Sequence, residues 1–165
     1  MSSENKMHFN PCAFPLVPSF LPSYGNFWLT SGFVTIPINN PIPFNQTGPT
    51  AGGVSLASPT TIRITQGGDY FVSYIVTANL GQSGSTDAVI SLFLNTIRVP
   101  SLQTTFAISG ADDDICLQIS GQAILSIPNN SILQLVNTDV SSPSNLVTCD
   151  SRVNNAAINI IKLSA

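Results

Sequence analysis

Apolar and polar residues alternate with a period of two over most of the chain from Tyr24 onward. This alternation is typical of strands, whose successive side chains point to opposite faces of a sheet. Clusters of Gly, Pro, Asn and Ser separate the alternating runs, and no run has the 3.6-residue period of a helix. The pattern predicts an all-β domain over residues 24–165, a ten-stranded jelly-roll sandwich. The predicted strands are Asn26–Thr30, Phe33–Ile38, Val54–Leu56, Thr60–Thr65, Asp69–Leu80, Ala88–Asn95, Arg98–Ile108, Ile115–Ile127, Ile132–Thr138 and Ala156–Leu163.

Two of these strands are largely apolar on both faces. Asp69–Leu80 presents Tyr70, Val72, Tyr74, Val76 and Ala78 on one face and Phe71, Ser73, Ile75, Thr77 and Asn79 on the other. The last strand presents Ala156, Ile158 and Ile160 on one face and Ala157, Ile161 and Leu163 on the other. Because a two-sheet sandwich buries only one face of each strand, the second face predicts a subunit interface. Ile115–Ile127, by contrast, alternates cleanly between apolar residues and Cys, Gln and Ser.

The first 23 residues have a different composition. Prolines at 11, 15, 18 and 22 alternate with apolar side chains, which favours an extended polyproline II segment. At about 3.1 Å per residue this tail reaches about 65 Å, farther than the roughly 40 Å across a domain of this size. We interpret residues 1–23 as a connector that docks into a neighbouring subunit, with a free terminus as the alternative. The candidate connector residues are Phe9, Cys12, Phe14, Leu16, Val17, Phe20 and Leu21.

Charge is scarce along the whole chain. Only 8% of the 165 residues are charged, against the usual quarter, and the mean hydropathy is +0.29. No apolar run is long enough to span a membrane, so the apolar surface is expected to face another subunit. The net charge of −3, with no basic stripe, makes nucleic acid an unexpected partner. The clustered prolines would also break the helical core of a signal peptide, so we expect none.

Candidate chemistry is sparse. The sole histidine, His8, and the sole glutamate, Glu4, both lie in the tail, so we expect neither an enzyme nor a cofactor. Asp112-Asp113-Asp114 is the only charge cluster; it could collect a metal ion, although a solvated acidic loop is the commoner outcome. The cysteines at 12, 116 and 149 form an odd set, which leaves at least one free or paired between chains. Cys12 could lock a docked tail covalently, or be a small buried apolar residue.

Several segments resemble a known family. Gly68-Asp69-Tyr70-Phe71-Val72-Ser73-Tyr74 is similar to the G-x-Y-x-F-x-[FY] strand of C1q and tumour-necrosis-factor-like jelly rolls, with Val72 in place of the usual Phe. Residues 120–135 resemble that family's penultimate hairpin, and 158–163 its closing strand. The segments 39–45 and 93–101 resemble the C-terminal domains of Bacillus collagen-like spore-surface glycoproteins and of exosporium basal-layer proteins. No Gly-X-Y collagen stalk is present, and the resemblance covers residues 30 to 165.

The resemblance implies a homotrimer whose inner sheet packs around the three-fold axis. It would place Tyr70 or Phe71, Tyr74, and Ile158 or Ile161 at the trimer interface, without saying which face of each strand is axial. In the family's topology Cys116 and Cys149 fall at the same end of the molecule, so they could pair with each other or cross-link protomers.

The expected role is a structural subunit of a fibre or layer on a bacterial spore surface. Heads would self-assemble through their connectors, alone or with other spore-surface proteins. The alternative is a trimeric tip that recognises a glycan or a receptor through the loops at 81–85, 110–114 and 141–150.

Overall fold

The computed structural model describes residues 21–80, 87–110, 115–138 and 145–164. This part of the chain forms strands and one 3₁₀ turn at Pro100–Leu102. The strands are β1 Tyr24–Leu29, β2 Thr35–Ile36, β3 Gln46–Ala51, β4 Val54–Ser58, β5 Thr61–Ile64, β6 Gly68–Asn79, β7 Asp87–Leu94, β8 Ile97–Arg98, β9 Thr105–Ser109, β10 Cys116–Ile127, β11 Ser131–Asn137, β12 Leu146–Val147 and β13 Ala156–Lys162.

Two antiparallel sheets face each other. The five-stranded sheet has the order β10-β6-β13-β1-β3. The six-stranded sheet has the order β4-β5-β11-β7-β8, and β9 also pairs with β7. β12 and β2 form a separate two-stranded ladder. The predicted all-β jelly-roll sandwich is therefore confirmed.

The core lies between the inner faces of the two sheets. Alternate residues of β6 and β13, including Tyr70, Tyr74 and Ile158, meet Ile62, Leu92 and Leu135 and their neighbours from the opposite sheet. Gly121 on β10 leaves room for two of the larger rings, since a Cβ at this position would overlap Tyr74 and Phe106. Those rings make an edge-to-face contact with their centroids 6.1 Å apart, a favoured arrangement for aromatic pairs.

Three differences from the predicted strands have identifiable causes. β3 was not predicted because its sequence, QTGPTA, has no apolar alternation; pairing with β1 makes it a strand. Pro49 is tolerated there because β3 is an edge strand. β12 was not predicted because it is only two residues long and pairs with β2. The predicted strand Arg98–Ile108 is divided, since Pro100 opens a turn in which Ser101 and Leu102 have positive φ.

Candidate self-association face

The outer face of the five-stranded sheet carries a continuous row of apolar side chains. Ile124 lies directly opposite Phe71, Phe71 opposite Ile161, and Ile161 opposite Tyr24. Strands in a sheet are about 4.8 Å apart, so this row crosses four strands in about 14 Å. Ile124 is 58% exposed and Ile161 48% exposed, although both are large aliphatic side chains. We call these four residues the apolar row.

A polar row follows it on the same face. Asn26 lies opposite Asn159, which lies opposite Ser73, which lies opposite Gln122. The Asn26 side-chain amide donates to the Asn159 side-chain oxygen at 2.6 Å. Beyond this row, three more apolar residues stand opposite one another, namely Trp28, Ala157 and Ile75. The face therefore alternates between apolar and amide-rich bands.

Formal charge is almost absent from this face. Among the described strands of the sheet, Asp69 at one end is the only charged residue whose side chain points outward. Its two carboxylate oxygens accept hydrogen bonds from the hydroxyls of Ser126, at 2.6 Å, and Ser164, at 3.1 Å. These bonds favour the ionised form and hold the pKa of Asp69 below its ordinary value. A partner that covers the rest of the face would therefore bury no formal charge.

The proposed trimer-interface residues divide between two environments. Tyr70, Tyr74 and Ile158 are buried inside the sandwich of a single chain, so their assignment to a subunit interface is wrong. Phe71 and Ile161 are on the outer face, where a neighbour can reach them. The resemblance could not choose between the faces because both were apolar in sequence; packing of the second sheet decides it.

The two buried tyrosines satisfy their hydroxyls within the chain. The Tyr74 hydroxyl donates to the Thr104 carbonyl at 2.9 Å, and that of Tyr70 donates to the Gln66 carbonyl at 2.6 Å. Burial raises the pKa of Tyr74 well above its ordinary value, because the phenolate would lose its hydration. Both rings therefore act as core residues.

The structure joins Cys116 and Cys149 in a disulfide, with their Cα atoms 5.9 Å apart. The bond ties the start of the edge strand β10 to the segment after β12. Next to it, the exposed guanidinium of Arg152 forms an ion pair with Asp150 and lowers the pKa of that carboxyl. This is the one ion pair found in the described part of the chain.

The remaining predicted site residues lie outside the described residues. They are Phe9, Cys12, Phe14, Leu16, Val17 and Phe20 of the connector and Asp112, Asp113 and Asp114 of the acidic cluster. Leu21 is described and exposed, whereas Ser23 is buried and bonded to the Gly52 carbonyl, so the folded domain already includes Ser23. Within the described ranges, no three metal-ligating side chains come together, and no helix is long and apolar enough to cross a membrane.

Sequence reasoning missed three members of the face, namely Tyr24, Trp28 and Ile124. Ile124 was detectable, because it is the one large aliphatic residue on the polar side of the alternating run 116–126. Tyr24 and Trp28 gave no separate signal. Phe27, Trp28 and Leu29 follow one another in their strand, so its sequence does not separate the two faces. Only the pairing with β13 brings Tyr24 and Trp28 beside Ile161 and Ala157.

No family model matches the chain, and no curated protein matches it in sequence. Solved structures share its fold. The Eiger TNF of S. frugiperda superposes with a TM-score of 0.70 at 17% identity, covering 87% of this chain and 93% of that one. The globular domain of zebrafish complement 1qA protein gives 0.62 at 10% identity, covering 86% and 97%. Murine APRIL gives 0.58 at 11% identity, covering 87% and 100%. The fold is thus the C1q/TNF-like jelly roll.

Proposed function

We propose that this protein is a structural subunit in which three copies associate through the outer faces of their five-stranded sheets. The observation that carries the proposal is the apolar row on a face with a single charge, at its end. A monomer leaves Ile124 and Ile161 in water. Burying them against a neighbouring subunit stabilises the assembly by about 25 cal/mol per Å² of apolar surface. A standard interface of about 800 Å² per partner is large enough for a long-lived assembly.

Three copies, rather than two, are proposed because of the family resemblance in the sequence. The fold shared with C1q and TNF proteins is compatible with this arrangement. Phe71 and Ile161 take the places near the axis that the resemblance assigned to one face of each strand. In such a trimer Tyr70 and Tyr74 stay inside the sandwich, on the inner side of the five-stranded sheet, and do not contact a neighbouring subunit.

The wider role we propose is a building block of a fibre or layer on a bacterial spore surface, with the N-terminal tails linking heads to one another. The resemblance of segments 39–45 and 93–101 to spore-surface proteins supports the location. The scarcity of charged residues in the sequence supports a durable material, because salt and acid have few charges to act on. The strength of the assembly would come from buried apolar surface. No residue is assigned a catalytic role. The loops of the alternative glycan-binding tip lie largely outside the described residues, and no observation here favours that role.

The test is the mass of the full chain in solution by light scattering, over a range of concentrations. At low concentration we expect three copies for the native protein, rising to multiples of three as tails link heads at higher concentration. We expect one copy for Ile161→Asp, which places a charge in the middle of the apolar row. Phe33→Asp is the matched control: Phe33 is 54% exposed, lies outside both sheets and has positive φ, which Asp tolerates. A native protein that stays monomeric, or an Ile161→Asp variant that keeps the native mass, would exclude this face.

A further inference from the structure

A surface pocket of about 280 Å³ lies at one end of the apolar row, where β13, β1 and β3 run side by side. Its apolar walls are Tyr24 and Ile161, the last two residues of the row, and Pro49 of β3. Tyr24 is 37% exposed and Pro49 is also exposed, so a neighbouring molecule can reach these walls. On this side of the sheet, the row therefore ends in a hollow.

The hollow coincides with an irregularity in the pairing of β1 with β3. Two residues of β3, Gly48 and Pro49, lie opposite the single residue Asn26. Such a bulge bends the strand that carries the extra residue. Proline is compatible with the bulge because it has no N–H to pair. Glycine allows the strands to approach closely, because a Cβ at position 48 would come within 2.8 Å of the Asn26 side-chain oxygen.

The chemistry of the pocket favours an apolar occupant. No charged side chain is among the described residues that line it. The two amides at its border, Asn26 and Asn159, are hydrogen-bonded to each other at 2.6 Å. A polar ligand would have to compete with that bond, whereas an aliphatic side chain can cover Tyr24 and Ile161 without breaking it. Pockets for drug-sized ligands begin at about 300 Å³, so this one suits a single side chain.

The other end of the apolar row is a projection. Ile124 lies on β10, the edge strand of the sheet, and it is the most exposed member of the row. Its outward neighbours along β10 are the polar residues Gln122 and Ser126. The row thus begins with one prominent aliphatic side chain and ends in an apolar pocket.

The proposed trimer brings these two ends together. Three sheets that face a common axis meet at their edges, so the β10 edge of one copy lies next to the β1–β3 edge of the following copy. A rotation about an axis that runs along the strands keeps every residue at its own height. Ile124 and Tyr24 belong to one cross-strand row, so they lie at the same height. The rotation therefore places Ile124 level with the pocket of the adjacent copy.

We propose that the Ile124 side chain of one copy occupies the pocket formed by Tyr24, Pro49 and Ile161 in the next copy. The inference rests on the proposed function, because the trimer is what brings the two edges side by side. It adds the contact that joins each pair of neighbours, to which one copy supplies the side chain and the other the pocket. Contacts between two unlike patches form a closed ring when the rotation between copies closes.

The test is disulfide cross-linking of the full chain in a Cys12→Ser background, which leaves the introduced cysteines as the only free thiols. The test variant carries Ile124→Cys and Pro49→Cys. Within one chain, four strand spacings of about 4.8 Å separate these positions, whereas a disulfide needs Cα atoms within about 7 Å. Their disulfide can therefore form only between two copies. The control carries Ile124→Cys and Ser55→Cys, because Ser55 is exposed on β4 of the other sheet.

After mild oxidation at low concentration, we expect the test variant to run on a non-reducing gel mainly as a covalent trimer, and as a single chain after reduction. The control should remain a single chain in both conditions. When Ile124→Cys chains and Pro49→Cys chains are refolded together, we expect cross-linked pairs with one chain of each kind. Neither single variant should cross-link alone. Native-like thermal unfolding establishes that each variant folds, and Tyr24→Cys replaces Pro49→Cys if the latter does not fold.

Three results would overturn the inference. The test variant could have the mass of three copies by light scattering and yet form no cross-link. The control could cross-link as readily as the test variant. Ile124→Cys alone could cross-link to itself, which would place two copies of this residue against each other.

The proposed function fails in a different way. A covalent dimer of the test variant would support the contact between Ile124 and the pocket but exclude three copies. A native chain that stays monomeric would exclude both the trimer and the contact.

Discussion

The outer faces of the two sheets contrast sharply, although both cover the same core. The five-stranded sheet exposes the apolar row and has one outward charge, at its end. The six-stranded sheet exposes Arg63 and Arg98, and its central cross-strand row runs Arg98, Phe93, Gln134. Each sheet has one half-buried phenylalanine on its outer face, Phe71 or Phe93, but only Phe71 has aliphatic neighbours on both sides.

This contrast shows that the apolar content of a strand does not by itself indicate an interface. An isolated apolar side chain on a surface is ordinary, whereas a contiguous patch without charge indicates a partner. Phe93 stands between a cation and an amide, and water can solvate that row. Phe71 stands between Ile124 and Ile161, and water cannot solvate that row equally well. The arrangement of neighbours across strands distinguishes the two faces.

The largest expected effect comes from placing the same charge on each face. Phe71→Asp should separate the native assembly into single chains, because burying an unpaired carboxylate costs more than the interface can offset. Phe93→Asp should keep the native mass, since that side chain would point toward Arg98 in solvent. Sedimentation of the two full-length variants at equal concentration measures the difference. If both substitutions change the mass equally, the two faces do not differ in function.

A smaller effect is expected from removing one amide from the polar row. Asn159→Val should weaken association roughly tenfold, because it leaves the Asn26 amide buried at the interface without its acceptor. It should also broaden the distribution of assembly sizes, since buried polar residues fix the register of apolar interfaces. Gln134→Val, on the six-stranded face, should change neither property. Native mass spectrometry resolves both readouts, and a single unchanged mass for Asn159→Val would show that the polar row does not specify the assembly.

The smallest expected effect concerns the one charge on the five-stranded face. The pKa of Asp69 is lower in the folded chain than in the unfolded chain, so the ionised carboxylate stabilises the fold above about pH 4. This contribution is lost as the pH falls through the lowered pKa, because the native state must then take up the proton.

The urea midpoint should therefore fall less steeply between about pH 5 and about pH 2.5 in Asp69→Asn than in the native protein. Asp150, whose pKa Arg152 lowers, should continue to titrate in both proteins and supply the common slope. An equal slope in the two proteins would show that the bonds from Ser126 and Ser164 do not matter to stability.

The sequence by itself was sufficient for the fold class. Two-residue periodicity and regular turn residues located most of the strands, because the side-chain pattern of a strand is written in consecutive residues. It was also sufficient to show that the strands containing Phe71 and Ile161 have a second apolar face. It failed at β3 and β12, whose residues become strands only through their pairing partners.

Only the tertiary structure decided which face of each strand is buried in the core and which points outward. Tyr70 and Phe71 are neighbours in the chain with similar rings, and one is in the core while the other faces outward because the second sheet packs on one side only. The apolar row likewise could not be predicted from the sequence, because the registers of three strand pairs bring its members together. These members are Tyr24, Phe71, Ile124 and Ile161. Local patterns depend on residues a few positions apart. Register and sheet packing depend on contacts between distant residues, such as Tyr24 and Ile161, which are 137 positions apart.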